Sequence, residues 1–376
     1  MAGENALERM TEVQRQPAEQ KFAAELEALK AQDTEPKPAG WVLSPRAVRR
    51  FIIGDPGQNI SQKFFGDDAL VDRCIVSLMG QQGLMLVGEP GTAKSLLSEL
   101  LAAAISGDSN LVVQGSAGIL EDHLRYGWNY ALLLAEGPSQ QALVPSPIFT
   151  AMRDGKLARL EELTRCAPEV QDAMISLLSE KTIAIPELGP GAEARAVPGF
   201  NVIATANLRD RGVHDMSSAL KRRFNFETVN PIADPAFEKA LVASQVASRM
   251  AAHAEQESGE YAAVDESVID VLVTVFRDLR TGNTDEGASI AVPNSVMSTA
   301  EAVNVGHAAA LDAKYLEGVP VSAEHLARQI RGVVFKDDPE DARRFRAYVE
   351  QIAKVRSKRN KAWSTFYKAA KQDLDG

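Results

Sequence analysis

The chain has 376 residues, 45% of them hydrophobic and 24% charged, ordinary values for a globular protein that favour neither a disordered nor a membrane class. Its 41 Lys and Arg against 51 Asp and Glu leave a formal charge of -10, which argues against broad nucleic-acid binding. The two cysteines, Cys74 and Cys166, lack metal-ligand spacing and are read as buried thiols in a reducing compartment. The polar, acidic N-terminus carries no apolar signal core, and no stretch approaches the length of a membrane span, so a cytoplasmic protein is expected. Residues 1–40 are rich in Ala, Glu, Gln and Lys and end in DTEPKPAG, the pattern of a marginal helix and a flexible joint outside the folded core. From Trp41 the apolar density rises. An apolar run at residues 84–87 leads into GEPGTAKS, residues 88–95, and then into a helical pattern of Leu96, Leu97, Leu100 and Leu101. Strand, Gly-rich turn and helix in that order make a phosphate-binding loop. The backbone N–H groups of Gly88, Glu89, Pro90 (which lacks one), Gly91, Thr92 and Ala93 surround the phosphates with the helix N-terminus, Lys94 reaches the β and γ oxygens, and Ser95 meets Mg2+. ATP or GTP is the expected ligand. Ala93 stands where most such loops have glycine, and its methyl is expected to need a negative φ.

Further β-like runs at 111–114, 157–160 and 201–206 alternate with helical segments, which implies an α/β domain with a parallel sheet. Beyond residues 231–235 the pattern changes to long Ala-rich helical stretches, including 240–254 and 267–279, the mark of a helical second domain. The charged tail places Phe345, Tyr348, Ile352, Val355, Trp363, Phe366 and Tyr367 at roughly helical spacing, an amphipathic helix or helix pair. Its basic run at 356–361, RSKRNK, is read as a solvated helix face, with contact to an acidic partner as the alternative.

The chemistry beyond the phosphate loop comes from three segments. LARLEE, residues 157–162, reads as a strand ending in two adjacent carboxylates; successive strand side chains point in opposite directions, so one acid serves the Mg2+ waters and the other the water attacking the γ-phosphate. Glu161 is one methylene longer than the usual Asp, and Arg159 is unexpected inside a buried strand. FNVIATAN, residues 200–207, is an apolar strand with Asn207 at its tip, where the C-terminal ends of parallel strands line the ligand crevice; a simple strand cap is the alternative. LKRRF, residues 220–224, sets three cations beside two apolar anchors. Phosphoryl transfer needs positive charge at the transition state, and an arginine from a neighbouring subunit supplies it: Arg223 is the first choice and Arg222 the reserve, against an ordinary surface cluster.

Taken in order, GEPGTAKS, LARLEELTRCAPEVQDAMISLLSEK, FNVIATANLRDRG and SSALKRRF resemble the MoxR family of AAA+ ATPases, most closely its YehL-like subgroup, over roughly residues 41–310. The resemblance implies an AAA+ P-loop NTPase domain with a parallel sheet, then an all-α lid domain and a helical C-terminal extension, divided at 1–40, 41–232, 233–310 and 311–376. It further implies ATP and Mg2+ shared between protomers of a homo-oligomeric ring, usually a hexamer, and chaperone-like remodelling of partner proteins, with von Willebrand factor A domain proteins as the leading partner class. Carried over by position, Lys94 and Ser95 belong to Walker A, Glu161 and Glu162 to Walker B, Asn207 to sensor 1 and Arg223 to the arginine finger. The family often has AK for GK in its phosphate loop. Residues 181–200 resemble the hairpin placed near the ring's pore, residues 115–128 the insert in the second helix region, and Gln114 is a candidate for holding Glu162 idle. At the sensor 2 position the chain has Asn294 after Pro293 where the family usually has arginine. Two other functions stay open: an ATP-gated assembly scaffold with little turnover, suggested by Asn294 and Glu161, and a DNA-dependent motor, which the acidic balance disfavours.

Overall fold

A computed structural model of the chain describes residues 15–207, 213–254, 264–295, 297–334, 336 and 338–375. Residues 1–14 of the expected N-terminal segment and 208–212 of the third motif lie outside the described residues. Two units are present, residues 1–88 with 93–229, and residues 89–92 with 230–376. Among the described residues, no helix is long and apolar enough to cross a membrane.

The first unit is an α/β layer structure. Its helices are α1 (Ala18–Lys21), α2 (Ala23–Gln32), α3 (Pro45–Ile53), α4 (Asp68–Met79), α5 (Lys94–Ser106), α6 (Tyr130–Glu136), α7 (Pro147–Asp154), α8 (Pro168–Ser179) and α9 (Ser218–Lys221). The strands are β1 (Gly83–Val87), β2 (Val112–Gln114), β3 (Tyr126–Trp128), β4 (Leu143–Pro145), β5 (Leu157–Glu161), β6 (Thr182–Ala184), β7 (Glu193–Arg195), β8 (Asn201–Ala206) and β9 (Phe224–Thr228). Five of them form a parallel sheet in the order β2, β5, β8, β1, β9. The edge strand β9 carries no clear strand signal: it overlaps the basic LKRRF cluster, only its Phe224 is buried, Phe226 is exposed, and Asn225 and Glu227 are half-buried. The expected insert is longer than 115–128, because β3 pairs antiparallel with β4 across α6. The arms of the expected hairpin pair as β6 and β7, Thr182 opposite Arg195.

Strand alternation decides which helices each side chain meets. Leu84, Leu86, Leu157 and Ile203 pack into one core with α3, α4 and α5, whereas Met85, Val87, Ala158, Leu160, Val202, Ala204 and Ala206 pack into another with α7 and α8. Each fully buried Leu or Met contributes about 1.5–3 kcal/mol of transfer free energy, and a one-residue slip of β5 would turn Arg159 and Glu161 into the apolar core of α7 and α8, so its register is strongly specified. Arg159, Glu161 and Thr205 share the parity of Leu157 and Ile203 and therefore face α5.

The reading of residues 1–40 as outside the folded core is corrected for the described part. Ala18 and Leu29 are buried, Glu19 accepts from the Ser109 N–H and hydroxyl, and Glu25 pairs with the buried Lys63 at 2.6 Å. The polar composition of α1 and α2 conceals specific acceptors for their neighbours, Glu19 and Glu25, and α5 reciprocates: its Glu99 takes the Ala18 N–H and the Arg15 guanidinium.

The second unit is helical: α10 (Pro235–Ala254), α11 (Glu266–Thr281), α12 (Thr299–Leu311) with a π-type continuation Asp312–Glu317, α13 (Ala323–Val334), α14 (Pro339–Tyr348) with a π-type continuation Val349–Ala353, and α15 (Lys361–Asp375). One hydrophobic core runs from Val242 through Phe276, Leu326 and Phe345 to Phe366 and Ala370, so the lid helices and the C-terminal extension share an interior. Arg356, the first residue of the basic run, is not on a solvated face. It is buried, bonds Asp278 at 2.6 Å, the Tyr348 hydroxyl at 3.2 Å and Glu286 at 2.6 Å, and lies 4.8 Å from the Trp363 ring centroid. Isolated inspection of a charge run cannot reveal that its first member has acidic partners some 70 to 78 residues upstream.

Removing one partner of a buried charge pair leaves the other uncompensated, so Arg356→Met should destabilise the second unit by about 3–5 kcal/mol, measured by urea unfolding followed through Trp363 with Trp41 and Trp128 replaced by Phe. Hydrogen bonding from Arg356, acting against burial, holds the Glu286 carboxyl down to about 2 from the usual 4.5. A depressed folded value gives stability above the unfolded value that is lost as pH falls toward the folded one. Glu286→Gln should thus lower the thermal midpoint at neutral pH, and the difference from wild type should shrink between about 4.5 and about 2 in a pH series of melting curves.

Candidate functional site

The phosphate loop joins β1 to α5. Apolar β1 is buried along its whole length between β8 and β9, which carries residue 88 to the C-terminal edge of the sheet. There the backbone turns through left-handed conformations: Gly91 has φ +75° and Ala93 has φ +66°. The expectation that Ala93 keeps a negative φ is therefore overturned. The residue that begins the helix sits in the left-handed region, where a Cβ crowds the following carbonyl at a cost of about 1–2 kcal/mol, and the loop geometry outweighs that cost. Lys94 is buried, and its Nζ donates to Gly88 O at 3.1 Å, which folds the side chain back over the loop. Thr92 Oγ1 donates to Glu89 O at 2.9 Å.

The two carboxylates do separate, but not by strand alternation: β5 ends at Glu161, and Glu162 already lies in the turn that follows. Glu161 is buried and accepts four hydrogen bonds: from Ser98 Oγ at 2.6 Å and Arg159 Nη2 at 2.8 Å on Oε1, and from Ser95 Oγ at 2.7 Å and Thr205 Oγ1 at 2.8 Å on Oε2. Burial raises its carboxyl, but donation from Ser98 and Ser95, the Arg159 charge and Thr205 outweigh burial and hold it below the usual range. Glu162 leaves the strand with φ +56°, a left-handed non-glycine backbone of the kind that clusters at functional sites. Its N–H donates to Thr205 Oγ1 at 2.9 Å, and its half-exposed carboxylate forms an ion pair with Arg165 one turn ahead. Gln114, the expected idle-state partner of Glu162, is exposed and pairs along the backbone with Glu161; the group against the Glu162 carboxylate is Arg165. Gly115 accounts for the close approach of β2 to this turn: its N–H donates to Glu161 O at 2.7 Å, and a Cβ there would lie 2.4 Å from Glu162 O.

Asn207 follows β8, beside β1 and β5, and its side-chain oxygen is buried without a hydrogen-bond partner among the described residues. An orphaned buried acceptor at the C-terminal edge of the sheet, the edge where Glu161 ends β5 and bonds Ser95, would suit a donor such as metal-bound water. Ser95 Oγ, with its proton directed to Glu161, keeps lone pairs that would suit a metal, whereas Glu161, with two donors on each oxygen, would receive metal-bound water only in place of one of them. Arg223 is anchored through Nε to Ser179 Oγ at 2.9 Å and through Nη1 to Ala219 O at 2.9 Å, whereas Arg222 is exposed and its guanidinium has no partner among the described residues. Cys166 is buried, and burial pushes its thiol up, as packing alone requires.

Ser98 and Thr205 were missed from sequence, although each carried a signal: Ser98 lies three residues after Ser95 on one helix face, and Thr205 is the polar residue inside an apolar strand. In the second unit Asn294 is tied down, its amide donating to Asp338 at 2.7 Å and accepting from Arg344 at 3.0 Å, while the buried Asp341 takes the backbone N–H groups of Asn294 and Ser295.

Residues 83–224 match the family model for an AAA domain of the dynein-related subfamily, and residues 238–373 match the YehL-like AAA+ ATPase C-terminal domain. The chain is 50% identical to YehL of Escherichia coli (strain K12), an uncharacterized protein, over 358 residues, covering 95% of this chain and 97% of that one. It belongs to the YehL-like AAA+ ATPases. An uncharacterized protein of Staphylococcus aureus (strain USA300) is 29% identical over 143 residues, 38% of this chain and 53% of its own length. Among solved structures, NtrX from Brucella abortus in complex with ATP aligns with a TM-score of 0.47 and 14% identity, over 84% of this chain and 70% of that one. The MoxR-type reading of the four motifs is consistent with this membership.

Because glycine enters the left-handed region freely but also enlarges the unfolded ensemble, Ala93→Gly should be neutral or stabilising by up to about 1 kcal/mol. Thermal unfolding checks this; a loss of more than that would mean the Ala93 methyl packs usefully.

Proposed function

We propose that the chain hydrolyses ATP with Mg2+ at a site completed between copies of itself in a ring, usually a hexamer in the resembling family, and that the cycle remodels or activates a partner protein, with von Willebrand factor A domain proteins as the leading class. The observation that carries this reading is the division of labour at the end of β5. Glu161 is saturated with donors and held against Ser95, whereas Glu162 turns out of the strand with a half-exposed carboxylate. Bound Mg2+ would neutralise phosphate charge and orient the terminal phosphoryl group. Lys94 and the loop N–H groups bind the phosphates, Ser95 and Glu161 hold the metal side, Glu162 accepts the proton of the attacking water and Asn207 orients that water. Arg223 of a neighbouring copy supplies charge in trans; its anchored guanidinium loses little freedom on meeting an anion, and Arg222 is the reserve.

Specific ATPase activity should rise with protein concentration, and Arg223→Ala should remove that rise and lower turnover by about 1000-fold or more while ATP binding persists. Glu162→Gln should abolish hydrolysis and prolong the ATP-bound assembly. A pull-down in ATP that recovers nucleic acid and no von Willebrand factor A protein would remove the partner assignment.

An ATP-gated scaffold is the second reading. The Arg165 pair on Glu162 and the engagement of Asn294 by Asp338 and Arg344 favour it. In that case Glu162→Gln leaves assembly lifetime unchanged and turnover stays near zero at every concentration.

A further inference from the structure

Arg159 lies in the LARLEE segment but carries no role in the proposed site, yet it is buried inside β5 and uses all three guanidinium nitrogens. Nε donates to Ser98 Oγ at 3.0 Å, Nη1 to Ser109 O at 2.9 Å, and Nη2 to both Ser95 O at 3.0 Å and Glu161 Oε1 at 2.8 Å. Ser98 Oγ in turn lies within donating reach of Glu161 Oε1 at 2.6 Å and of Ser95 O at 3.0 Å. A buried arginine in the middle of a parallel sheet is costly to desolvate, and a sheet that needed only packing would place an aliphatic residue here.

We propose that Arg159 is a positioning residue for the metal side of the site: it draws one oxygen of the long Glu161 carboxylate back into the protein and leaves only the other oxygen facing Ser95. The inference rests on the nucleotide-binding reading above. Its reasons are geometric and electrostatic. Residues 159 and 161 share one face of β5, so the arginine sits directly behind the carboxylate. Glu161 has one methylene more than aspartate and without restraint would extend past Ser95. Through Oε1 the Arg159 and Ser98 pair holds it back; through Oε2, Ser95 and Thr205 fix its direction. The same guanidinium grips Ser95 O, so the carboxylate and the first turn of α5 are registered to each other by one rigid fork. Because the positive guanidinium adjoins the negative carboxylate, the two together offer a dication little net charge. Metal affinity then depends on the phosphates that accompany it, and Mg2+ is retained as the nucleotide complex.

The test measures binding of a fluorescent ATP analogue to the full chain with Mg2+ and again with excess EDTA, alongside hydrolysis. In wild type, Mg2+ should tighten binding. Arg159→Met should leave the EDTA affinity within about twofold and reduce the Mg2+-dependent tightening by about 10-fold or more, the usual cost of removing a partner of a metal ligand. Adding Glu161→Asp to Arg159→Met should restore much of the loss, since the shorter acid has no excess length to restrain; a merely structural arginine would show no such rescue. Should Arg159→Met fail to fold, Arg159→Lys carries the same test: it keeps the charge but cannot bridge Ser95 O, Ser98 and Glu161 together, and should give a partial loss with the same rescue. An unchanged Mg2+ effect in the folded variant, or a double variant no better than the single, overturns the inference. Absence of ATP binding in wild type overturns the nucleotide-binding reading itself, and because this readout needs no turnover, slow hydrolysis alone touches neither.

Discussion

The Glu161 carboxylate has to remain ionised within the sheet, and the first unit is organised around supplying its donors. Burying an unpaired charge costs several kcal/mol or more, and here every lone-pair direction is met: by Ser95 and Ser98 from α5, by Arg159 from β5 and by Thr205 from β8. Three elements distant in sequence are thereby fixed in register at the edge where the phosphate loop emerges. The parity of β5 and β8 makes this arrangement possible, because Arg159, Glu161 and Thr205 share the face of Leu157 and Ile203 that packs on α5 and lie toward the C-terminal ends of their strands.

Two backbone strains flank this cluster. Ala93 and Glu162 both adopt left-handed conformations without being glycine, one at the start of α5 and one at the end of β5. Each would relax if unsupported. Both are held by hydrogen bonds around them: the Ala93 carbonyl begins the α5 ladder through Leu97 N–H, and the Glu162 N–H and C=O are taken by Thr205 and Arg165. The strain thus lies where the chain must change direction to present a phosphate loop and a half-exposed acid.

The second unit applies the same rule of satisfied buried charge to a different purpose. Arg356, Asp278, Tyr348 and Glu286 tie α11 to the segment after α14, and Asp341 and Asp338 at the start of α14 hold the turn carrying Asn294. Burial raises the Asp278 carboxyl despite its arginine and pushes the Tyr348 hydroxyl up, so this cluster sits at the limit of what pairing can offset. The turn that carries Asn294 is thus gripped by the start of α14.

The amino-acid sequence by itself determined the α/β class and the strand, Gly-rich turn and helix around residues 88–95, because these depend on local periodicity and on turn residue types; it marked Glu161 and Glu162 as a divided pair, but the left-handed turn at Glu162, not alternation, divides them. Four of the five sheet strands were legible for the same reason; β9 was hidden because this edge strand overlaps a basic cluster that reads as a loop. Only the tertiary structure decided the sign of φ at Ala93, the partners that make a buried Arg159 tolerable, the packing of residues 15–32 through Glu19, Glu25 and Glu99, and the withdrawal of Arg356 from solvent. Each of these turns on a charge or a carbonyl supplied from far along the chain. Sequence patterning records which residues need a partner, but the distance that satisfies them exists only once the chain has folded.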